Sequence, residues 1–289
     1  MPEETAVSAE FDTKEERTLK TRIISAAVGL VLLAAVLYFF ETPVLDVAVA
    51  LLSVMAVHEL IHASPLKEKK LFEGVCLLFA AAFSTVYFNI FSSLTILAEF
   101  IFAGILLILM LFDHKSIKAT EMAFAFFAST LVPHAFSMLL LFRQYESPVS
   151  YFLVFLSLGV AWFNDTFAYF SGYFFGKHKL CPEISPKKTV EGAVGGVAGD
   201  MIACVLLTWL FTSKTGLSVH WLSFLLFLPV GAVAGIFGDL CASIIKRQFK
   251  IKDYGNIMPG HGGVMDRFDS WLFVAPLLYI WNLYLPFLY

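Results

Sequence analysis

Charged residues are scarce in this chain: only 15% of its 289 residues are Asp, Glu, Lys or Arg. A soluble domain carries about 25%, so the composition argues against an ordinary soluble fold. The formal net charge of −3 offers no basic excess, and we expect no nucleic-acid partner. The four cysteines form no C-x-x-C pair, which argues against a disulfide framework or a zinc knuckle. Hydrophobic residues make up 59% of the chain and the mean hydropathy is +0.79, which indicates a polytopic membrane protein.

Apolar residues gather into nine runs, each long enough to cross a bilayer as a helix, which takes about 20 residues. They predict an all-α, polytopic integral membrane protein with about nine transmembrane helices. The runs cover residues 22–40, 44–63, 71–89, 93–112, 120–142, 149–172, 192–212, 221–245 and 270–288. The connections are short except for two polar loops, 173–191 and 246–269.

The positions of lysine and arginine predict how these helices are oriented. With nine spans and a cytosolic N-terminus, every lysine and arginine except Arg143 and Lys214 falls on the cytosolic side. Such a bias is the positive-inside pattern of membrane proteins. It places the N-terminus and both long polar loops in the cytosol.

Residues 58–62 read His-Glu-Leu-Ile-His, an H-E-x-x-H motif. On a helix the two imidazoles share one face, and with a third ligand they can hold zinc while the glutamate acts as general base. An intramembrane zinc protease is therefore one alternative. No characteristic Asp-Gly partner motif is present, however, and a motif this short carries a false-positive risk. The predicted topology places Glu59 at the cytosolic end of the second span, where it is a candidate for the rim of a nucleotide site.

Four aspartates lie close to the cytosolic ends of the predicted spans. Asp165 and Asp239 are a few residues from the ends of the sixth and eighth spans, and Asp266 and Asp269 stand at the start of the ninth. Ionisable residues within spans are costly and are functional candidates by default. Basic residues accompany them in the two polar loops, namely Lys187, Lys188, Lys246, Arg247, Lys250 and Lys252. Carboxylates and lysines at one membrane face predict a Mg²⁺ ion that holds a polyphosphate.

Three segments of the C-terminal half carry a resemblance to a known family. SIIKRQFKIKDYGNIMPGHGGVMDRFD (243–269) resembles the signature of the phosphatidate cytidylyltransferases, and NDTFAYFSGYFFGKHKL (164–180) and SPKKTVEG (185–192) resemble two further blocks of that family. The resemblance implies the reaction of CTP with phosphatidic acid to give CDP-diacylglycerol and diphosphate. It also implies an integral membrane enzyme, a homodimer, that requires Mg²⁺, with a second cation such as K⁺ proposed for the family.

This chemistry suggests roles for the polar residues. The nucleophile is an oxygen of the lipid phosphate, which is already anionic, so the site must chiefly bring two polyanions together by positioning and charge neutralisation. We predict that Asp239 and Asp266 bind metal. The predicted catalytic residues are Asp165, Lys188, Lys246, Arg247 and Asp269. The predicted substrate contacts are Ser185, Lys187, Thr189, Lys252, Asp253, His261 and Arg267.

Two further alternatives remain open at this point. A transporter of an anionic solute would use intramembrane acids for coupling, although the chain has no inverted repeat and its charges gather at one face. A related nucleotidyl or phosphoryl transferase would act on another lipid phosphate, because pocket selectivity is not readable in the sequence. The roles of Glu59, Glu99 and Asp200 also stay open.

The predicted organisation has three parts. Residues 1–21 form a disordered cytosolic tail, and residues 22–142 hold about five N-terminal transmembrane helices. Residues 143–289 form the C-terminal catalytic transmembrane region, with cytosolic loops at 173–191 and 246–269.

Overall fold

The structure is a computed structural model that describes residues 24–86, 93–260 and 262–289. The tail predicted for residues 1–21 and the predicted substrate contact His261 therefore lie outside the described residues.

Within the described residues, nine helices of 14 residues or more overlap the nine apolar runs, with bounds that differ by a few residues. They are α1 (Ile24–Tyr38), α2 (Pro43–Ala63), α3 (Lys70–Val86), α4 (Ser93–Phe112), α5 (Ala119–Phe142), α6 (Val149–Phe175), α7 (Val190–Thr215), α8 (Trp221–Gln248) and α10 (Trp271–Tyr284), and a short α9 (Met265–Phe268) precedes the last. A single 3-10 turn, Pro65–Glu68, connects α2 to α3.

Six of the described helices are long and apolar enough to cross a membrane: α2, α4, α5, α6, α7 and α8. The prediction of a largely helical, polytopic membrane protein is confirmed by these six helices. The described part of α1 and the whole of α10 are apolar but shorter, and α3 has 17 residues.

The first polar loop contains a small β-hairpin that the all-α prediction missed. Strand β1 (Lys179–Cys181) pairs in antiparallel fashion with β2 (Ser185–Thr189). Pro182 and Pro186 explain why this segment is not helical, because proline lacks the N–H that a helix interior needs. The hairpin leads directly into α7.

The last predicted span, 270–288, is wrong at its C-terminal end. Helix α10 ends at Tyr284, and Pro286 explains the position because the residue before a proline is disfavoured in the α conformation. The final residues instead pair with the segment that precedes α8: Ser218 N donates to Tyr289 O over 3.0 Å, and Tyr289 N donates to Ser218 O over 3.1 Å.

Helices α6 and α7 pack closely because α7 presents glycine to α6. A Cβ atom at Gly196 would lie 2.8 Å from Asn164 Oδ1 and 2.9 Å from Ala168 Cβ, so only glycine fits without movement of its neighbours. Small residues at helical spacing let membrane helices approach in this way. The contact fixes the position of Asn164 and the adjoining aspartate.

Polar contacts distinguish the two ends of the helix bundle. At one end Arg143 holds Asp46 through two hydrogen bonds of 2.8 and 3.0 Å, which joins the end of α5 to the start of α2. At the other end Lys69 Nζ lies 2.6 Å from Asp113 Oδ2. The second end, called the site end below, also holds the C-terminal ends of α2, α6 and α8 and the starts of α7 and α9.

Candidate active site

Asp266 holds together the segment that connects α8 to α9, residues 249–264, called the signature loop below. Its Oδ1 lies 3.0 Å from Lys246 Nζ, and its Oδ2 accepts hydrogen bonds from Tyr254 N (2.8 Å) and Gly263 N (3.0 Å). The side chain of Asp266 is only 4% exposed. Because a buried carboxylate needs such partners, this residue acts as an anchor of the loop.

Glu59 closes the same loop from the side of α2. Its two carboxylate oxygens accept hydrogen bonds from Val264 N (2.9 Å) and Met265 N (2.8 Å) at the start of α9. These are N–H groups that a helix start leaves without a partner. A Cβ at Gly263 would overlap Glu59 Oε1, so glycine at this position lets the loop reach the carboxylate. The glutamate of the H-E-x-x-H motif is thus committed to backbone contacts and is not placed to act as a general base.

Two further aspartates lie near each other on α6 and α8, ten residues before the end of α6 for Asp165 and nine residues before the end of α8 for Asp239. They therefore lie deeper within these helices than the sequence predicted. Asp239 Oδ2 forms an ion pair with Lys188, and its Oδ1 accepts a hydrogen bond from Ser243 Oγ over 3.3 Å. Asp165 Oδ2 accepts from Ser270 Oγ at 3.4 Å. Among the described residues, Asp239 contacts Lys188 and Ser243, and Asp165 contacts Ser270. Because a carboxylate has about four acceptor positions, both aspartates can accept further ligands.

These aspartates border a cavity of about 530 Å³ at the site end. This volume lies within the range of about 300–1,000 Å³ that is usual for small-molecule sites. Its lining combines acidic, basic and aromatic side chains, including Asn164, Asp165, Tyr169, Tyr173, Lys179, Lys187, Lys188, Thr189 and Asp239. An anionic, aromatic-bearing ligand would find both lysines and aromatic rings here.

Burial dominates the electrostatics of Asp269. This residue lies just before α10 and is 8% exposed, with Oδ1 accepting a hydrogen bond from Ser270 N over 2.9 Å. Burial, reinforced by the negative charges of Asp239 and Asp165, raises the pKa of the Asp269 carboxyl to about 7, while Lys246 acts in the opposite direction. A bound cation beside these three aspartates would remove the repulsion.

The hairpin closes one side of the site. Arg247 Nε donates to Ile184 O at 3.2 Å, which ties the end of α8 to the hairpin turn. Thr189, a predicted substrate contact, caps α7 by accepting a hydrogen bond from Gly192 N over 3.1 Å. Its side chain also lines the cavity, so the cap places the start of α7 beside the ligand space.

The remaining predicted substrate contacts differ in exposure and position. Lys187 is exposed and lines the cavity, whereas Ser185 is half-buried in the hairpin. Three more residues are exposed on the signature loop or on α9, namely Lys252, Asp253 and Arg267. The structure thus brings Asp165, Asp239 and Lys188 together at one cavity. Asp266 and Lys246 form a separate ion pair beside the signature loop.

Two residues at the site, Tyr254 and Asn164, were given no role in the sequence analysis. Tyr254 is buried, its hydroxyl donates to Ala242 O over 2.8 Å, and Lys246 Nζ lies 5.4 Å from its ring centroid. Asn164 lines the cavity, and within the described residues neither of its amide atoms has a hydrogen-bond partner. The sequence signal for Tyr254 is an aromatic residue inside a polar loop, and the signal for Asn164 is its position directly before Asp165. No sequence signal identifies the hydrogen-bond partners of Glu59, because they lie more than 200 residues away.

The fold and the site together define a polytopic membrane protein with an acidic and basic cavity at one end of its helices. The chain belongs to the Cytidylyltransferase family, whose sequence profile matches residues 20–285.

Individual relatives bear the name phosphatidate cytidylyltransferase. The chain is 34% identical to the one from Thermotoga maritima over 274 residues, which cover 91% of this chain and 95% of that relative. It is 49% identical to the one from Bacillus subtilis over 126 residues and 48% identical to the one from Staphylococcus haemolyticus over 121 residues. Each of these two alignments covers 45% of the relative's length, and they cover 44% and 42% of this chain.

Proposed function

We propose that this protein is a phosphatidate cytidylyltransferase, which converts CTP and phosphatidic acid to CDP-diacylglycerol and diphosphate. An oxygen of the lipid phosphate attacks the α-phosphorus of CTP, a new P–O bond forms, and the bond to the β-phosphate breaks. The observation that carries the proposal is the cavity at the site end, where Asp165, Asp239, Lys187 and Lys188 converge in a chain that belongs to this family.

The donor set fits Mg²⁺. That ion prefers carboxylate oxygen, water and substrate phosphate, and Asp165, Asp239 and Asp269 offer carboxylates that influence one another electrostatically. When bound, the ion would neutralise charge on the triphosphate. We propose Asp239 as a ligand, as predicted, with Asp165 and Asp269 beside it. Asp266 has three protein donors, so we propose that it positions the signature loop, in place of the direct ligation predicted from the sequence.

The basic residues hold the two anionic substrates. Lys187 and Lys188 line the cavity and would bind phosphate oxygens, and Lys188 would exchange its contact with Asp239 for one with the nucleotide. Lys246 and Arg247 act from the end of α8, where Lys246 steadies Asp266 and Arg247 holds the hairpin. Ser185, Lys252, Asp253 and Arg267 stay predicted substrate contacts. No general base is required, because the attacking phosphate oxygen is already anionic near neutral pH.

We further propose the arrangement in the bilayer. The protein has nine membrane spans, the N-terminus and the site end lie in the cytosol, and the acyl chains enter sideways from the bilayer. The positive-inside distribution supports this orientation. We also propose a homodimer and a second cation such as K⁺, both on the resemblance to the family.

The metal dependence is tested with purified protein in detergent micelles that contain phosphatidic acid and CTP. We expect CDP-diacylglycerol formation to stop with EDTA and to return with added Mg²⁺. Turnover that continues in the presence of EDTA would contradict the proposed role of Mg²⁺. Solute uptake by proteoliposomes without nucleotide turnover would instead support the transporter alternative, and zinc-dependent peptide cleavage would support the protease.

A further inference from the structure

The two histidines of the H-E-x-x-H motif meet a third metal-ligand type on the neighbouring helix. His58 and His62 lie one turn apart near the end of α2, with ring centroids 5.6 Å apart. Glu73, in the first turn of α3, places Oε1 2.7 Å from His58 Nδ1. One ligand atom from each of the three residues lies within 4.8 Å of the other two. Two imidazoles and a carboxylate therefore converge where α2 packs against α3.

This cluster is separate from the proposed active site. Glu59, although adjacent to His58 in sequence, turns its carboxylate toward Val264 and Met265 at the start of α9. Helix α2 thus presents its histidines to α3 and its glutamate to the signature loop. A metal between the histidines would lack the general base that the protease motif supplies, so the cluster is suited to binding rather than to hydrolysis.

The donor set selects the class of metal. Two imidazoles and a carboxylate suit zinc and its neighbours, whereas Mg²⁺ disfavours imidazole. Tetrahedral zinc with bonds of about 2.0–2.2 Å places its ligand atoms about 3.4 Å apart. The 2.7 Å between His58 Nδ1 and Glu73 Oε1 would therefore lengthen, and the other ligand atoms, which lie within 4.8 Å of one another, need only small shifts. The side chain of Glu73 is 6% exposed and packed in place, while that of His58 is 46% exposed and has room to turn.

The two nearby lysines, Lys69 and Lys70, do not prevent a cation from reaching the cluster. Lys70 Nζ lies 3.5 Å from Glu73 Oε2, but its side chain is 76% exposed and can turn into solvent. Lys69 points elsewhere, with Nζ 2.6 Å from Asp113 Oδ2. Only the Lys70 end of this i,i+3 ion pair is exposed, so the lysine can leave for solvent when a metal ion takes its place beside Glu73.

We propose that His58, His62 and Glu73 bind one divalent transition-metal ion of the zinc class. The site is non-catalytic and fastens the end of α2 to the start of α3. Since α2 also carries Glu59, the metal would stabilise the element that supports the signature loop. The proposal does not depend on the cytidylyltransferase activity.

The test is equilibrium dialysis of the full-length, tag-free protein in detergent micelles, first stripped with EDTA and then exposed to Zn²⁺ in excess Mg²⁺. Elemental analysis of the wild type should find about one tightly held zinc per chain. His58→Ala, His62→Ala and Glu73→Gln should weaken that binding at least about tenfold. His114→Ala removes an exposed histidine outside the cluster and should bind zinc like the wild type.

A thermal melt supplies a second readout that does not depend on activity. Zinc should raise the Tm of the wild type and of His114→Ala, because a ligand that binds only the folded state stabilises it. It should leave the Tm of His62→Ala unchanged, and this residue is exposed, so its variant is expected to fold. A wild type that holds no stoichiometric zinc, or a His62→Ala variant that binds as tightly as the wild type, would overturn the proposal.

Discussion

Asp266 accepts hydrogen bonds from a lysine and from two backbone N–H groups, and it is almost fully buried. A carboxylate offers about four acceptor positions, so three are already filled by the protein. At the scale of single residues this separates the aspartates of the site into two kinds. Asp266 supports the loop, whereas Asp165 and Asp239 border the cavity.

Asp266→Asn should destabilise the protein. Lys246, whose side chain is only 14% exposed, would lose its counter-charge. Removing one partner of a buried pair costs about 3–5 kcal/mol. Thermal unfolding in detergent measures the effect, with Glu183→Gln, an exposed acid in the hairpin turn, as the control. Equal Tm values for Asp266→Asn and the wild type would contradict the anchoring role.

Asp239→Asn should lower turnover with little loss of stability. Its carboxylate is only partly buried and faces Lys188 and the cavity. Loss of a charge that neutralises or positions the reacting groups costs roughly 100-fold in rate or more. Steady-state rates and a melting curve, measured on the same preparation, separate the two effects. A variant with wild-type turnover would remove Asp239 from the metal assignment.

At the scale of elements, the contact between α2 and α9 decides the shape of the site. Glu59 replaces the hydrogen bonds that the first turn of α9 lacks, and Gly263 leaves space for it. This contact joins residues that are about 200 positions apart, so helix α2 in the N-terminal half supports the C-terminal signature.

Gly263→Ala should displace Glu59 from α9 and lower both stability and activity. The added Cβ would overlap a carboxylate that is buried and already hydrogen-bonded. Leaving the buried acceptor and donors unpaired costs about 1–3 kcal/mol. Gly104→Ala is the matched control, since a Cβ there meets nothing within 4 Å in α4 and alanine favours a helix. Similar Tm values for the two variants would argue against the contact.

The sequence predicted the helices well because each carries a long apolar run. The hairpin at Lys179–Thr189 was not predictable, because its strands are short and polar. The end of α10 at Tyr284 was missed although Pro286 signals it. Among the site residues, Asp165 and Lys188 were predicted to be catalytic and Asp239 to bind metal, and all three line the same cavity. The anchoring of Asp266 and Glu59 was not predictable, because it depends on backbone N–H groups that are brought close only by the folded loop.

At the scale of the whole molecule, the polar segments that connect the helices lie at two opposite ends of the bundle. Helix α7 has 26 residues, and at 1.5 Å per residue it is about 39 Å long, enough to cross a bilayer. Its start adjoins the site, and its end, Thr215, lies at the end of the bundle where Ser218 pairs with the C-terminus.

The proposed orientation predicts which connections a membrane-impermeant thiol reagent reaches. In a background with the four native cysteines replaced by alanine, Glu183→Cys should react only from the cytosolic side. Lys214→Cys should react only from the opposite side. Both positions are exposed, which makes them a matched pair. Labelling of inverted and right-side-out vesicles measures the sides, and labelling of both positions from one side would refute a single crossing by α7.

The central proposal is that the cytidylyl group of CTP passes to phosphatidic acid. Its most direct test supplies the purified protein with phosphatidic acid, Mg²⁺ and CTP that is labelled either at the α-phosphate or at the γ-phosphate. The account predicts that the α-label appears in the lipid product and that the γ-label is released in diphosphate. A γ-label in the lipid would show phosphoryl transfer instead, and no label in the lipid from either nucleotide would contradict the proposed reaction.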